Sequence, residues 1–361
     1  MNKITKKITA NLALIILILL LTLGAFIIYI SYADYQPGRV EPLLIDPDPD
    51  TLSLSEELKL LSWNIGYAGL GAEMDFFYEG GDMVRPSRPL FEKYLEGIAM
   101  TFQAMDSIHF FLFQEVDVHS KRSYFINERD LIMELFPGYD HVFAKNYDVE
   151  YVPVPLMEPM GQVYAGLLAM SRFGPSEAKR YAFPNIASWP EKLFLPDRCF
   201  IETRYPLENG RELILLNTHN SAYVSEDSLR DIELHIIRKK MLEEYEKSNY
   251  VIAGGDWNMN PPFQKAVQLK TPDNYKEHVL MLEKDYFPPG WKFAFDPHYP
   301  TNRSVSSPYV KGETAVSIID FFILSPNIRK LKVKTIHLDF ENSDHHPVFL
   351  KVKLLLKEIQ E

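Results

Sequence analysis

Short, almost wholly apolar runs alternate along this chain with polar interruptions, and that rhythm predicts its elements. Residues 58–65, 109–116, 164–171, 212–219, 250–258, 316–324 and 347–356 have the length and density of buried strands. A strand covered on both faces has no polar side to show, so an unbroken apolar run is its expected appearance. Two longer stretches instead repeat every three to four residues. One is 89–108, with Leu90, Tyr94, Leu95, Ile98, Phe102 and Met105; the other is 227–246, with Leu229, Ile232, Ile236, Met241 and Tyr245. That spacing gathers one apolar face on a helix. Strands alternating with helices predict an α/β domain, and this many strands predict two packed sheets with helices outside.

The N-terminal run differs in kind. No charged residue occurs from Ile8 to Ala33, and Leu and Ile dominate it. About 20 apolar residues rising about 1.5 Å each cover a hydrocarbon core, so residues 8–33 are expected to be a transmembrane anchor. A cleaved signal peptide is the alternative, because Ser31-Tyr32-Ala33 has a small-x-small form. The run nevertheless exceeds the roughly 7–15 apolar residues of a usual signal sequence. Lys3, Lys6 and Lys7 precede it, whereas Asp34, Glu41, Asp46, Asp48 and Asp50 follow. This asymmetry places residues 1–7 in the cytoplasm and the rest outside it, anchored, or secreted if cleaved. Residues 34–57 carry Pro37, Pro42, Pro47, Pro49 and several acids, and are expected to form a stalk. Residues 58–361 then form one domain.

The chain of 361 residues is 46% hydrophobic, enough to bury a large core. Its single cysteine, Cys199, excludes an internal disulfide framework, a thiolate zinc site and a lipoprotein-type anchor. The formal charge is −11 with no basic stripe, which weighs against nucleic acid as the main partner.

The chemistry lies where the apolar runs stop. Asn64, Glu115, His219, Asp256, Asn258, Asp320, Asp344 and His345 all sit at or near such ends. Taken singly, each has a plain structural explanation, such as a turn, a capped amide or a satisfied core histidine. Taken together, they put several carboxylates at one sheet edge, a costly arrangement unless cations offset them. Oxygen donors without thiolate point to magnesium, with manganese or calcium possible.

Ser62-Trp63-Asn64-Ile65, Phe113-Gln114-Glu115-Val116, Asn217-Thr218-His219, Gly255-Asp256-Trp257-Asn258, Ile319-Asp320-Phe321 and Ser343-Asp344-His345-His346-Pro347 occur in that order. This succession resembles the motifs of the endonuclease/exonuclease/phosphatase family, which includes deoxyribonuclease I-like nucleases, inositol-polyphosphate phosphatases and neutral sphingomyelinases. The resemblance implies a four-layer α/β sandwich of two mixed sheets flanked by helices, here preceded by the N-terminal helix. It also implies a metal-dependent hydrolase of phosphate esters. Asn64 and Glu115 match its metal positions, with Asp344 near a second one. Asp256 matches the residue that activates water, and Asn258 the one that orients it. His345 matches the phosphate-contacting histidine, Asp320 its carboxylate partner, and His219 a second phosphate-side histidine. Tyr164 falls where some members place a tyrosine on the phosphate.

One departure is Gly66, where some nucleases carry a further acid two residues after the asparagine; this disfavours a nuclease among the readings. A small-molecule or lipid phosphoester is the favoured substrate, an extracytoplasmic nuclease the runner-up, and an inactive surface-binding module the reading of another class. No Gly-x-Ser-x-Gly elbow supports a serine hydrolase. Residues 147–160, proline-containing and largely apolar, could form a lip at the pocket or merely cover the sheet edge. The sequence implies no protein partner.

Overall fold

The computed structural model describes residues 3–46, 48–105, 107–222, 227–262 and 280–356. Met1 and Asn2 of the expected cytoplasmic segment, Pro47 of the expected stalk and residues 357–361 of the expected domain lie outside them.

Helix α1 (Lys3–Ala33) comes first, then strands β1 (Val40–Pro42) and β2 (Glu57–Asn64), helix α2 (Arg88–Gln103), strand β3 (Phe110–Asp117) and helix α3 (Glu128–Leu135). Strands β4 (Asp140–Val152), β5 (Gly161–Ser171), β6 (Glu177–Ala182), β7 (Cys199–Pro206) and β8 (Glu212–His219) precede helix α4 (Asp227–Glu246). After it come β9 (Tyr250–Asp256), β10 (Lys292–Ala294), β11 (Asn302–Arg303), β12 (Val316–Ser317), β13 (Asp320–Leu324), β14 (Ile328–Thr335) and β15 (Val348–Leu354).

These strands build a seven-stranded sheet of order β1-β6-β7-β8-β9-β13-β10 and a six-stranded sheet of order β14-β15-β2-β3-β5-β4. Both are mixed, because β8 and β9 run parallel in the first and β2 and β3 in the second. Each parallel pair needs a crossover, which α4 supplies in one case and α2 in the other.

Side chains alternate along each strand, so each sheet has an inner and an outer face. Inward residues such as Leu58, Leu60, Phe110 and Leu112 meet Leu213, Leu215, Ile252 and Phe322 in a core between the sheets. Outward, Leu61, Trp63, Phe111 and Phe113 pack on Phe91, Tyr94, Ile98 and Phe102 of α2. On the far side, Ile214, Leu216, Val251 and Phe321 pack with Leu234, Ile237 and Met241 of α4. The result is the expected four-layer sandwich, and burial on both faces explains why the central strands read as unbroken apolar runs.

Two expectations need correction. The run 316–324 is not one strand: β12 pairs with β11 in a small separate ribbon, and β13 joins the large sheet. The segment 34–57 is not a free stalk. β1 pairs antiparallel with β6 at the sheet edge, Val40 opposite Tyr181. Farther on, the Leu52 amide donates to the Pro206 carbonyl at 2.9 Å, and Leu52 and Leu54 are buried. A three-residue strand is too short to show a period, and proline is tolerated on an edge strand, so the composition alone suggested a linker.

Helix α1 is long and apolar enough to cross a membrane. Its C-terminal end also touches the domain. Ile30 is buried, the Phe26 ring meets Tyr151 edge-on at 5.8 Å, and the Trp189 indole nitrogen donates to the Ser31 hydroxyl at 3.1 Å.

Leu52→Ala should lower the unfolding free energy of the detergent-solubilised chain by about 2–4 kcal/mol, as for other buried leucines. An unchanged urea midpoint would return this segment to the status of a linker.

Candidate active site

Strand register assembles the polar cluster. The parallel pair β8/β9 sets His219 beside Asp256, and the antiparallel pair β9/β13 sets Asp256 beside Asp320. In the other sheet, parallel β2/β3 sets Asn64 beside Gln114, one residue before Glu115. Asn64, Glu115, His219 and Asp256 thus lie at or next to the carboxyl ends of the parallel strands, where open α/β sheets place ligands.

Local backbone geometry then aims the side chains. Glu115 sits at a bulge in β3 with φ of 54°, a left-handed conformation that non-glycine residues adopt only where their surroundings enforce it. At the end of β9, Gly255 has φ of 145°, and a Cβ there would stand 2.0 Å from the Thr218 carbonyl oxygen. Only glycine permits that approach, which explains the glycine before Asp256. Asn258, also left-handed at φ of 50°, donates its backbone N–H to Asp256 Oδ1 at 3.0 Å and its amide to the Asn220 carbonyl at 2.8 Å.

Asn64 ties the two sheets together. Its Nδ2 donates to Glu115 Oε1 at 3.1 Å and to Asp256 Oδ2 at 3.0 Å, while its Oδ1 accepts the Gly66 N–H at 3.0 Å. Asn64 therefore holds two carboxylates in place, and its oxygen has one lone pair left for a cation.

His345 lies between acids. Its Nδ1 is 2.9 Å from Asp320 Oδ2, and its Nε2 is 3.7 Å from Asp256 Oδ2 and 3.9 Å from Asp344 Oδ2. Burial alone would depress its pKa, but Asp320, Asp344 and Asp256 outweigh that and hold it well above the usual imidazole range. Burial also raises the carboxyls of Asp256 and Asp344 to about 7, with His345 opposing in both cases. His219 differs: burial, reinforced by Arg198 and His345, drives its pKa well below the ordinary value, so the ring is neutral. Its Nε2 stands 3.5 Å from Asp256 Oδ2 and 3.8 Å from Glu115 Oε1.

His346, the next residue, is structural. Its Nδ1 donates to the Pro300 carbonyl at 3.0 Å and its Nε2 accepts the Phe340 N–H at 3.2 Å, and burial pushes its pKa down to about 3.

The cluster forms the floor of a cavity of about 940 Å³, lined by Glu115, His219, Asp256, Asn258, Asp344 and His345 among others. Tyr67, Phe76, Tyr78, Tyr147 and Met160 make an aromatic and apolar wall. Tyr164 is a correction. It does not line this cavity, whereas its neighbour Ala165 does, because consecutive strand residues face opposite ways. The Tyr164 ring packs against Phe143 and lies 5.6 Å from the Lys145 ammonium instead.

Three cavity residues carry no signal in the sequence, since none ends an apolar run. Asn302 places its amide 3.0 Å from His345 Nε2, with its other end 3.3 Å from the Ser317 hydroxyl. An amide can offer either end and a hydroxyl can reverse its role, so this contact suits both protonation states of His345. Arg122 grips Asp117 with two hydrogen bonds and stacks 3.6 Å over the Tyr67 ring. Arg198 faces the cavity with a guanidinium that no hydrogen bond or ion pair engages among the described residues.

A divalent cation fits this donor set. Asp256, Asp320 and His345 present ligand atoms within 4.8 Å of one another. Asp320 Oδ2 is already engaged by His345 Nδ1, however, and of the acids in the cluster it is Glu115, Asp344 and Asp256 that line the cavity. The buried Arg303 head spends its hydrogen bonds on the Leu70, Gly71, Met74, Ser304 and Ser307 carbonyls, so among the described residues it is His345 that forms ion pairs with Asp256 and Asp344. Hard oxygen donors with excess negative charge suit such an ion. At Gly66, with φ of 53°, a side chain would strain the backbone and its Cβ would stand 2.8 Å from Asp344 Oδ1, so an acid here would displace that carboxylate.

No protein-family model matches the sequence, and no curated protein matches it. Among solved structures, an endonuclease/exonuclease/phosphatase from Beutenbergia cavernae is similar, at 17% identity and a TM-score of 0.53, covering 83% of this chain and 72% of that one. The human Nocturnin catalytic domain, with bound sulfate anion, is similar at 16% identity and 0.51, covering 85% and 97%. An endonuclease/exonuclease/phosphatase from Bacteroides vulgatus follows at 13% and 0.52, covering 83% and 100%. The fold of this chain is that of the endonuclease/exonuclease/phosphatase proteins.

Proposed function

We propose that the chain is a magnesium-dependent phosphoesterase, held at a membrane by α1, with its catalytic domain on the extracytoplasmic side. The observation that carries the activity is the convergence of Asn64, Glu115, His219, Asp256, Asp320 and His345 from two sheets into one cluster, of which Glu115, His219, Asp256 and His345 line the cavity. The anchor reading draws support from Phe26, Ile30 and Ser31, since cleavage after Ala33 would remove every contact they make with the domain.

Glu115 and Asp344, with the Asn64 oxygen, are the residues that would hold the cation, which when bound supplies charge to offset that developing on the phosphoryl group. The remaining roles belong to the side chains. Asp256, oriented by the Asn64 amide and the Asn258 N–H, takes a proton from the attacking water as the water oxygen bonds to phosphorus and the ester P–O bond breaks, and the departing alkoxide takes a proton from solvent. The His345 imidazolium, fixed by Asp320, donates from Nε2 to a non-bridging oxygen. Neutral His219 supplies a second donor beside it. A phosphomonoester or phosphodiester of a small molecule or lipid suits a pocket with an aromatic wall in an acidic protein; a nucleic acid is the runner-up.

Asp256→Asn and His345→Ala should each lower turnover of bis-p-nitrophenyl phosphate by about 100-fold or more while circular dichroism stays unchanged. EDTA should abolish the parent's activity. The same assay on sphingomyelin, phosphoinositides and plasmid DNA ranks the substrate classes, and full activity of Asp256→Asn would sink the mechanism.

Cation binding should also depend on pH. The carboxyl of Asp344, one of the residues that would hold the ion, is raised to about 7, far above a free carboxyl, so below that value protons compete with the ion. The rise in melting temperature on adding millimolar magnesium should therefore shrink as pH falls from about 8 to about 6. A shift independent of pH would place the ion elsewhere.

A further inference from the structure

Two exposed apolar loops flank the end of α1. Strand β4 runs back along the route of the N-terminal chain: the Lys145 ammonium lies 3.8 Å over the Tyr35 ring, and six residues on, Tyr151 meets Phe26. Continuing in that direction, the tip between β4 and β5 carries Leu156, 87% exposed, and Met157, 94% exposed. The tip turns back on itself where the Met160 N–H donates to the Val154 carbonyl at 2.9 Å, so Leu156 and Met157 stand at its outer end, beyond the Tyr151 contact with α1. The second loop carries Ile186 and Trp189, both exposed, and Trp189 is bonded to Ser31 of the same helix. Large apolar side chains this bare are costly in water. Tyr and Trp at this level match the aromatic belt of a membrane interface. The same two segments continue into the cavity wall, through Tyr147 and Met160 on one side and Leu195 and Pro196 on the other.

We infer that the β4–β5 tip and the Ile186–Trp189 loop insert into the outer leaflet of the membrane that α1 crosses, so that the cavity takes its phosphoester from the lipid surface. The inference rests on the proposed activity and on an uncleaved α1. The occupant of these loops is the bilayer, because they continue the surface of a helix built to lie in one.

The test uses the full chain in phosphatidylcholine vesicles containing phosphatidylglycerol and sphingomyelin. Cys199 is buried, so Met157→Cys can be labelled selectively with an environment-sensitive fluorophore. The probe should shift to the blue and be quenched by lipids spin-labelled near the headgroup. A probe at Lys332→Cys, on the opposite edge of its sheet, should stay in water. Leu156→Ser with Met157→Ser should slow hydrolysis of vesicle phospholipid by about tenfold or more and leave soluble bis-p-nitrophenyl phosphate within about twofold. A water-exposed probe at 157, as a protein partner would require, overturns the insertion. A parent that hydrolyses the soluble ester but no vesicle lipid, or a double variant with unchanged lipid turnover, overturns the lipid route. A parent inactive on every ester, with the probe quenched, defeats the activity instead and leaves the insertion standing.

Discussion

The cost of crowding acids in a dry place organises this structure. Asp256, Asp320 and Asp344 are all nearly inaccessible, and His345 is the cation within reach of each. Buried charge is tolerated only when paired, hydrogen-bonded or ligated. Here one carboxylate locks the imidazole, the amide of Asn64 spans two others, and the surplus charge faces the cavity. No single sheet could do this. Asn64 and Glu115 come from one, Asp256 and Asp320 from the other, and they meet because each sheet contributes the carboxyl ends of a parallel pair at the same rim.

Supporting parts hold that rim rigid. The buried guanidinium of Arg303 collects carbonyls from residues 70–74 and 304–307, stapling two irregular segments that frame the opening. Gly66 leaves the space that Asp344 occupies, and Gly255 lets β9 approach Thr218 closely enough to present Asp256. The strained φ of Glu115 fits the same pattern, in which a functional side chain is aimed by a distortion the surrounding sheet can bear.

How much of this was legible follows from the same physics. Strands buried on both faces announce themselves as apolar runs, and a polar residue that ends one is conspicuous, so Asn64, His219, Asp256 and Asp320 stood out. Residues that reach the cavity from a two-residue strand or a loop, such as Asn302 and Arg198, interrupt no pattern. Tyr164 was pointed to by the family resemblance alone, and which face of β5 meets the cavity is decided only by how the sheets pack, which brings Ala165 to the lining instead. The segment around β1 failed for another reason: its prolines and acids suit a linker, but an edge strand of three residues and two buried leucines are enough to fasten it.

That fastening has a consequence for reach. Only residues 34–39 separate the end of α1 from β1, and α1 itself is braced by Phe26, Ile30 and Ser31. With so little slack, an embedded protein cannot swing its domain out into solution in search of a target. It would patrol in two dimensions, meeting what diffuses in or along the sheet of lipid beneath it, at a local density that a freely dissolved counterpart would never experience.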